Sequence, residues 1–408
     1  MTSVSTCEVC GNPNIEPVID LGSHPMCDDL VEIGSDRRCR EYPIEILFCA
    51  VCRTAHQRFQ VPKHELFPTT YHYRSRFTAD VLNGMAGLVQ SCERRFGGLA
   101  KKRVLDIGCN DGSLLGFFQA KGALTFGIEP TGAASDAKQE GHTVYNDFLS
   151  ERLAAEIVAT HGAPDVVAFT NVFAHIENLP EVLSALRRLM KKETAIVIEN
   201  HYLGSVLDGN QFDTFYHEHP RTYSYTSFVY IARALETTLS GVEFPSRYGG
   251  NIRVFLGGPD SPGGGSDHAA LDAREARFEQ GFRDLRRNMQ RWIVAKSAFI
   301  ADAVRQHGPL RAKAFPGRAA ILMKLLSLDT ESIEAVHEKP GSMKIGHYIP
   351  GTRVPIVSDD ELFARADQSK PLLNLAWHIP TEIRGYLQQH GYKGAVVDII
   401  EAGDFAPR

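Results

Sequence analysis

The stretch "RVLDIGCNDGSLL", residues 103–115, decides the architecture. An apolar run ends in a glycine-rich turn, and the turn opens directly into the helical pattern "SLLGFFQAKG". Working outward, "LTFGIEP", "HTVYND", "DVVAFT" and "TAIVIEN" read as further strands, with helical patterns near 150–160 and 180–190 between them. Strands separated by helices of this length imply parallel crossovers and a doubly wound α/β sheet.

The turn places Asp106, Gly108, Asn110, Asp111 and Gly112 at the carboxyl end of the first strand, where open α/β sheets bind their ligands. It lacks the G-x-G-x-x-G spacing, and its two acids would repel a pyrophosphate. An anionic loop favours instead a ligand bearing positive charge, such as a sulfonium with an amino group. Glu129, 21 residues beyond Gly108, ends the second strand, where a carboxylate can accept both hydroxyls of an adenosine ribose. Taken together these features favour S-adenosylmethionine over a nicotinamide dinucleotide.

With 408 residues, 43% hydrophobic and 23% charged, the chain is globular and long enough for two or three domains. A net charge of -5 and the lack of basic runs disfavour a polynucleotide substrate. No stretch reaches the roughly 18 apolar residues of a membrane helix, and the start "MTSVSTCEVCG" lacks a basic region followed by an apolar core, so a cytoplasmic location is expected.

Among the eight cysteines, Cys7, Cys10, Cys49 and Cys52 form two C-x2-C pairs, "CEVC" and "CAVC", separated by 38 residues. Four soft ligands and no fifth site point to structural zinc, the competing reading being two unrelated reduced pairs or a redox motif. The metal would replace a core too small to fold alone, with the "YPIEILFCAVC" strand between the pairs.

An aromatic loop, "TTYHYRS", leads into an amphipathic helix before residue 100. "GGPDSPGGGSD", residues 257–267, is the clearest punctuation; a long charged pattern after it reads as one or two helices, followed by a second α/β rhythm. The expected domains are 1–65 for zinc, 66–258 for the central sheet, and 259–408 for a helical linker with a small α/β domain.

The ordered elements "CEVC…CAVC", "TYHYRS", "DIGCNDGSLL", "FGIEPTG", "TNVFAHIENL", "FDTFYHEHPRTYS" and "RYGGNIRVFLG" resemble the nucleotide-sugar C-methyltransferases of deoxysugar biosynthesis, over nearly the whole chain. The resemblance implies an N-terminal zinc-binding domain, a central class I (Rossmann-like) methyltransferase domain, and a C-terminal α/β domain that helps hold the nucleotide sugar. It implies S-adenosylmethionine as methyl donor and a nucleotide-linked 4-keto deoxysugar as substrate, dTDP-linked and methylated at C3 by preference over C5, in antibiotic biosynthesis. Oligomeric state stays open, with a monomer favoured.

Carbon methylation requires a carbanion, hence a base for a proton beside a ketone and a donor for the enolate oxygen. By resemblance, His219 is the base, Tyr216 contacts the substrate oxygen or assists proton transfer, and Glu218 orients these groups. His175 faces the substrate carbonyl, Tyr71 or Tyr73 closes the pocket, and Asn171, after the fourth strand, faces the methionine part of the cofactor. A metal held by His217 and His219 is disfavoured, since i, i+2 is not the spacing by which a helix joins two ligands. Asn251 and Arg253 of "YGGNIRV" stay outside the catalytic set.

The family's small-residue turn in the terminal domain is replaced by "KAFPGRAAIL", where Lys313 and Arg318 could supply charge to a phosphate. Competing readings are methylation of another activated ketone or of an oxygen or nitrogen acceptor, and a zinc-dependent scaffold with a vestigial methyltransferase domain. Intact Asp106, Gly108 and Glu129 argue against the scaffold.

Overall fold

The computed structural model describes residues 1–71, 73–259, 268–365 and 367–405. Most of the glycine-rich punctuation at 257–267 therefore lies outside the described residues. Two compact units share the chain: the first comprises Met1–Pro17, Ile46–Gly209 and Glu218–Glu279, the second Val18–Glu45, Asn210–His217 and everything from Gln280 on. The units do not follow chain order, because the segment between the cysteine pairs and the short run 210–217 both pack with the C-terminal part.

In the first unit, β1 (Glu41–Cys49), from Ile46 on, pairs antiparallel with β2 (Thr54–Gln57). The helix α1 (Ala79–Phe96) follows; it buries Val81, Met85, Leu88, Val89 and Cys92, the spacing of one helical face. Gly97 ends it at φ 64, a left-handed conformation that costs a side chain more than it costs glycine.

The central sheet contains β3 (Arg103–Ile107), β4 (Leu124–Ile128), β5 (Thr143–Tyr145), β6 (Val166–Thr170) and β7 (Ala195–His201). Helices α2 (Ser113–Gln119), α3 (Ala133–Gln139), α4 (Glu151–His161) and α5 (Leu179–Leu189) make the crossovers. Side-chain caps start the longer two: Ser150 Oγ accepts from the Leu153 N–H at 3.3 Å, and Asn178 Oδ1 from the Glu181 N–H at 3.2 Å. After β8 (Arg221–Thr222) and α6 (Tyr225–Ala234), strands β9 (Leu239–Glu243) and β10 (Asn251–Gly257) add an antiparallel edge.

The order is β9-β10-β7-β6-β3-β4-β5, so the chain leaves β3 first toward β4 and later toward β6. Such a reversal opens a crevice at the carboxyl ends of β3 and β6. These strands read as unbroken apolar runs because helices cover both faces; Val104, Val166, Ala168 and Val197 join α1 and α2 in one core.

In the second unit, Val31–Glu32 pairs antiparallel with His347–Tyr348. Helices α7 (His268–Glu275), which belongs to the first unit, and α8 (Phe278–His307) precede β11 (Leu310–Lys313), α9 (Ala319–Leu325), β12 (Ile333–Glu338), β13 (Ile356–Ser358), β14 (Leu372–Asn374), α10 (Pro380–Gln389) and β15 (Val396–Asp398). The sheet is parallel throughout, ordered β13-β12-β11-β14-β15. Among the described residues no helix is long and apolar enough to cross a membrane.

Phe118 of α2 is fully buried in the core beneath β3 and β6. Phe118→Ala is expected to lower stability by about 3–5 kcal/mol, read from urea melts; a loss under about 1 kcal/mol would remove that core from the account.

Candidate active site and metal centre

The sulfurs of Cys7, Cys10, Cys49 and Cys52 all lie within 4.8 Å of one another, with Cys7 Sγ 3.3 Å from Cys52 Sγ and Cys10 Sγ 3.6 Å from Cys49 Sγ. A zinc ion bound by four thiolates at about 2.3 Å spaces its sulfurs by about 3.8 Å, so these separations bracket a tetrahedral site. Hydrogen bonds from Cys52 and Cys7, and then from Asn12, drive the Cys49 thiol toward thiolate despite its burial. Polarisation of a thiol cluster around one anion suits a soft divalent cation. His56, which the sequence reading did not single out, sits with Nε2 3.3 Å from Cys7 Sγ.

At the crevice, Asp106 is the last residue but one of β3 and is buried; burial, reinforced by repulsion from Glu129, pushes its carboxyl well above the usual range. A cationic ligand would relieve both effects, which is the fit these residues offer to a sulfonium cofactor. Gly108 takes φ 73, and a Cβ there would lie 2.6 Å from Val172 Cγ2, so only glycine lets the turn approach the next strand's loop.

The neighbouring polar side chains hold the turn together. The Asn110 N–H donates to Glu129 Oε2 at 2.9 Å, and Glu129 Oε1 accepts from the Thr131 N–H and hydroxyl at 2.9 and 2.6 Å. Asn110 Oδ1 accepts from the Ser75 N–H at 3.0 Å, and its amide donates to Tyr73 O at 3.2 Å. Asp111 accepts from the Ser113 hydroxyl at 2.6 Å and from the Arg76 N–H at 2.9 Å. Asn171, at φ 55 after β6, donates its N–H to Glu199 O at 2.7 Å and accepts at Oδ1 from Asn251 Nδ2 at 3.3 Å.

His219, Glu218, His175 and Tyr71 come together. The His219 and His175 ring centres are 4.9 Å apart, and a third ring, His201 at the end of β7, lies 5.4 Å from His219. His175 Nδ1 meets Glu218 O at 2.7 Å; a carbonyl only accepts, so Nδ1 carries the proton. Burial lowers His175 to about 4, against the hydrogen bonds to Glu218 O and Asn171 O, so the ring is neutral. The Tyr71 hydroxyl donates to Glu218 Oε2 at 3.1 Å, and Phe67 packs edge-on against both Tyr71 and His175.

Tyr73 is not part of this group: it is 41% exposed, and its carbonyl meets Asn110 and Arg74. His217 belongs to the second unit and donates from Nε2 to Tyr42 O at 3.0 Å, so it and His219 serve different partners. Half-buried Tyr216 also belongs to the second unit.

Several charged groups have internal partners. Buried Glu199 on β7 pairs with Arg253 at 2.6 Å and Arg247 at 3.1 Å and accepts from Asn251 Nδ2 at 3.1 Å. Arg253 further binds Glu243 at 2.7 Å. In the second unit, Lys313 reaches both oxygens of Asp359 at 2.9 Å, and Arg318 forks onto Asp213 at 2.5 and 2.8 Å. The charge that the sequence offered to a phosphate at 313 and 318 is thus already neutralised by buried carboxylates. His201 and the Glu199 network were missed because a lone histidine or acid ending a strand carries no motif.

Three family descriptions match the chain in succession: "Putative zinc binding domain" over residues 7–67, "Methyltransferase domain" over 72–239 and "C-methyltransferase C-terminal domain" over 246–399. By these matches the chain is an S-adenosylmethionine-dependent C-methyltransferase. It is 26% identical over 395 residues to the C-methyltransferase NovU of Streptomyces niveus, spanning 93% of this chain and 91% of that one. A shorter match, 34% over 103 residues, joins it to a ubiquinone biosynthesis O-methyltransferase of Pectobacterium atrosepticum and covers 24% of this chain and 42% of that one. Among solved structures, magnesium protoporphyrin IX methyltransferase from Synechocystis PCC 6803 aligns with a TM-score of 0.35 and 17% identity, over 44% of this chain and 84% of that one.

Cys49→Ser is expected to lower zinc well below one ion per chain and to leave most of the protein insoluble, read by atomic absorption on the soluble fraction; a soluble, zinc-free variant with wild-type melting would contradict the metal assignment. Burial holds both His175 and His217 at about 4, whereas an unfolded histidine titrates near about 6.5. Between these values the unfolded chain binds more protons, so stability is full above about pH 6.5 and falls as pH drops toward 4. Urea midpoints at stepped pH should fall through that window, and a flat profile from pH 7 to 5 would contradict neutral buried rings.

Proposed function

We propose that the chain methylates the carbon beside the ketone of a nucleotide-linked 4-keto deoxysugar, with C3 the accepting carbon and dTDP the carrier. The observation that supports this most directly is the group formed by buried His219 and Glu218 with half-buried His175 and Tyr71, and its neutral His175 ring. When bound, S-adenosylmethionine supplies an electrophilic methyl group on sulfur; Asp106, Gly108, Asn110, Asp111, Glu129 and Asn171 are the residues proposed to hold it.

His219 would take the proton from the sugar carbon, leaving an enolate carbon as the nucleophile for the methyl group that the bound cofactor would supply. His175 has its Nδ1 proton engaged by Glu218 O, so in its neutral form it accepts at Nε2 rather than donating. The donor to the enolate oxygen is then better sought in a hydroxyl than in that ring. Glu218 fixes His175 through its carbonyl and Tyr71 through its carboxylate, so one residue orients two others. Glu199 and its arginines keep Asn171 and Asn251 in register beside this group. Residues 1–65, 66–258 and 259–408 are the proposed metal-binding, methyl-transferring and nucleotide-sugar-holding parts, and the cytoplasm, where thiols stay reduced, is the proposed location.

The test uses methyl-labelled S-adenosylmethionine with a panel of nucleotide-linked keto sugars in deuterated water. The expected result is label on one sugar, together with deuterium entering the carbon beside its ketone. His219→Asn should lower both by about 10²–10⁴-fold and leave cofactor affinity by calorimetry within about twofold. Wild-type exchange in that variant would remove His219 as base; methyl transfer without any exchange would indicate an oxygen or nitrogen acceptor.

A further inference from the structure

Between the cysteine cluster and the histidine group runs a buried polar bridge, entirely within the first unit. Its centre is Arg221, fully buried and two residues beyond His219. The guanidinium uses its whole fork: Nε donates to the Tyr223 hydroxyl at 3.0 Å, Nη1 to the Glu8 carboxylate, and Nη2 to Ile176 O and, at 3.3 Å, to Glu177 O. Glu8 stands inside the first C-x2-C pair, and Ile176 directly follows His175. One cation therefore touches the metal knuckle and the loop of one active-site histidine while sitting on the chain of the other.

The backbone repeats the link. Arg221 and Thr222 of β8 pair with His56 and Ala55 of β2, and the Gln57 N–H donates to Pro220 O at 2.8 Å. Strand β2 starts just after Cys52, whose carbonyl accepts from the Ser224 and Ser227 hydroxyls at 3.4 and 3.2 Å. Glu8 Oε2 also accepts from Gln60 Nε2 at 2.8 Å and lies 3.6 Å from His56 Nδ1, whose ring reaches Cys7 Sγ. Metal ligands on one side and catalytic loops on the other thus share a single hydrogen-bonded seam.

We infer that Arg221, anchored to the metal module through Glu8, is a positioning residue that fixes the spacing of His175 and His219. The inference rests on the reading of His219 as the base. The Arg221 side chain has no exposed surface and that of Glu8 is 21% exposed, so water competes little for the guanidinium and the pair holds a narrow geometry. Any shift of the knuckle is passed on to residues 176 and 221, and so to rings 4.9 Å apart. Proton transfer is steep in distance, so a displacement well under an ångström matters.

The bridge variants are Glu8→Gln, which keeps shape and loses charge, and Arg221→Lys, which keeps charge and loses the fork. Each is purified with its zinc content measured, and where one fails to fold the other carries the test. Expected are one zinc per chain, S-adenosylmethionine affinity within about twofold, a KM for a dTDP-linked 4-keto deoxysugar within about threefold, and kcat and solvent deuterium exchange lowered together by about 10- to 100-fold. Independently of substrate, ring ¹³Cε1 signals of His175 and His219, assigned by their loss in His175→Asn and His219→Asn, should shift in the variants while that of His390 stays in place. A folded, zinc-loaded variant with wild-type kcat and unmoved signals overturns the inference, as does a loss of kcat accompanied by loss of zinc. If His219→Asn exchanges deuterium normally, the reading of the base has failed instead.

Discussion

Four sulfurs packed within 4.8 Å of one another in a mostly buried place are stable only around a cation. Without one, thiolates would repel and thiols would leave polar atoms crowded against each other. With one, two loops 38 residues apart are tied at a single point, and β1 and β2 acquire a fixed end. Because β8 completes that small sheet, the metal's influence extends directly to the chain segment beyond His219. A module of this size could not supply that rigidity from apolar burial alone.

The opposite requirement governs the crevice between β3 and β6. There two acids share a buried setting, and burial with repulsion from Glu129 disfavours the charged form of Asp106. Such an arrangement costs stability, and a positively charged ligand at this place would relieve it. Glu199, only one strand away, is treated differently, with two arginines and an asparagine satisfying it. Glu129 is likewise held, by the Asn110 and Thr131 N–H groups and the Thr131 hydroxyl, so it is Asp106 whose charged form burial disfavours.

The parallel sheets, their crossovers, the acidic glycine turn and the paired cysteines were legible in the sequence because each is a local pattern of period, turn chemistry or spacing. His219 and His175 were legible only through motif resemblance, since periodicity says nothing about two rings 4.9 Å apart but 44 residues distant in sequence. Arg221 reads as an ordinary residue after a proline; its meaning comes from Glu8, 213 positions earlier. Lys313 and Arg318 misled for the same reason, because Asp359 and Asp213, which neutralise them, have no recognisable spacing from them. The compact units were also hidden, since joining residues 18–45 to the C-terminal part depends on pairing such as Val31 with Tyr348.

The protonation pattern around Glu218 constrains the chemistry further. Its carbonyl requires a proton on His175 Nδ1, and burial forbids a second proton on that ring near neutral pH. His175 therefore keeps one tautomer, and under the proposed function, with His219 as base, a second base beside it would compete unless its proton affinity were lower. A value of about 4 makes it lower than that of an ordinary imidazole by more than two orders of magnitude. Desolvation thus holds the His175 ring in a single tautomer as a fixed dipole, which under the proposed function leaves proton exchange to His219.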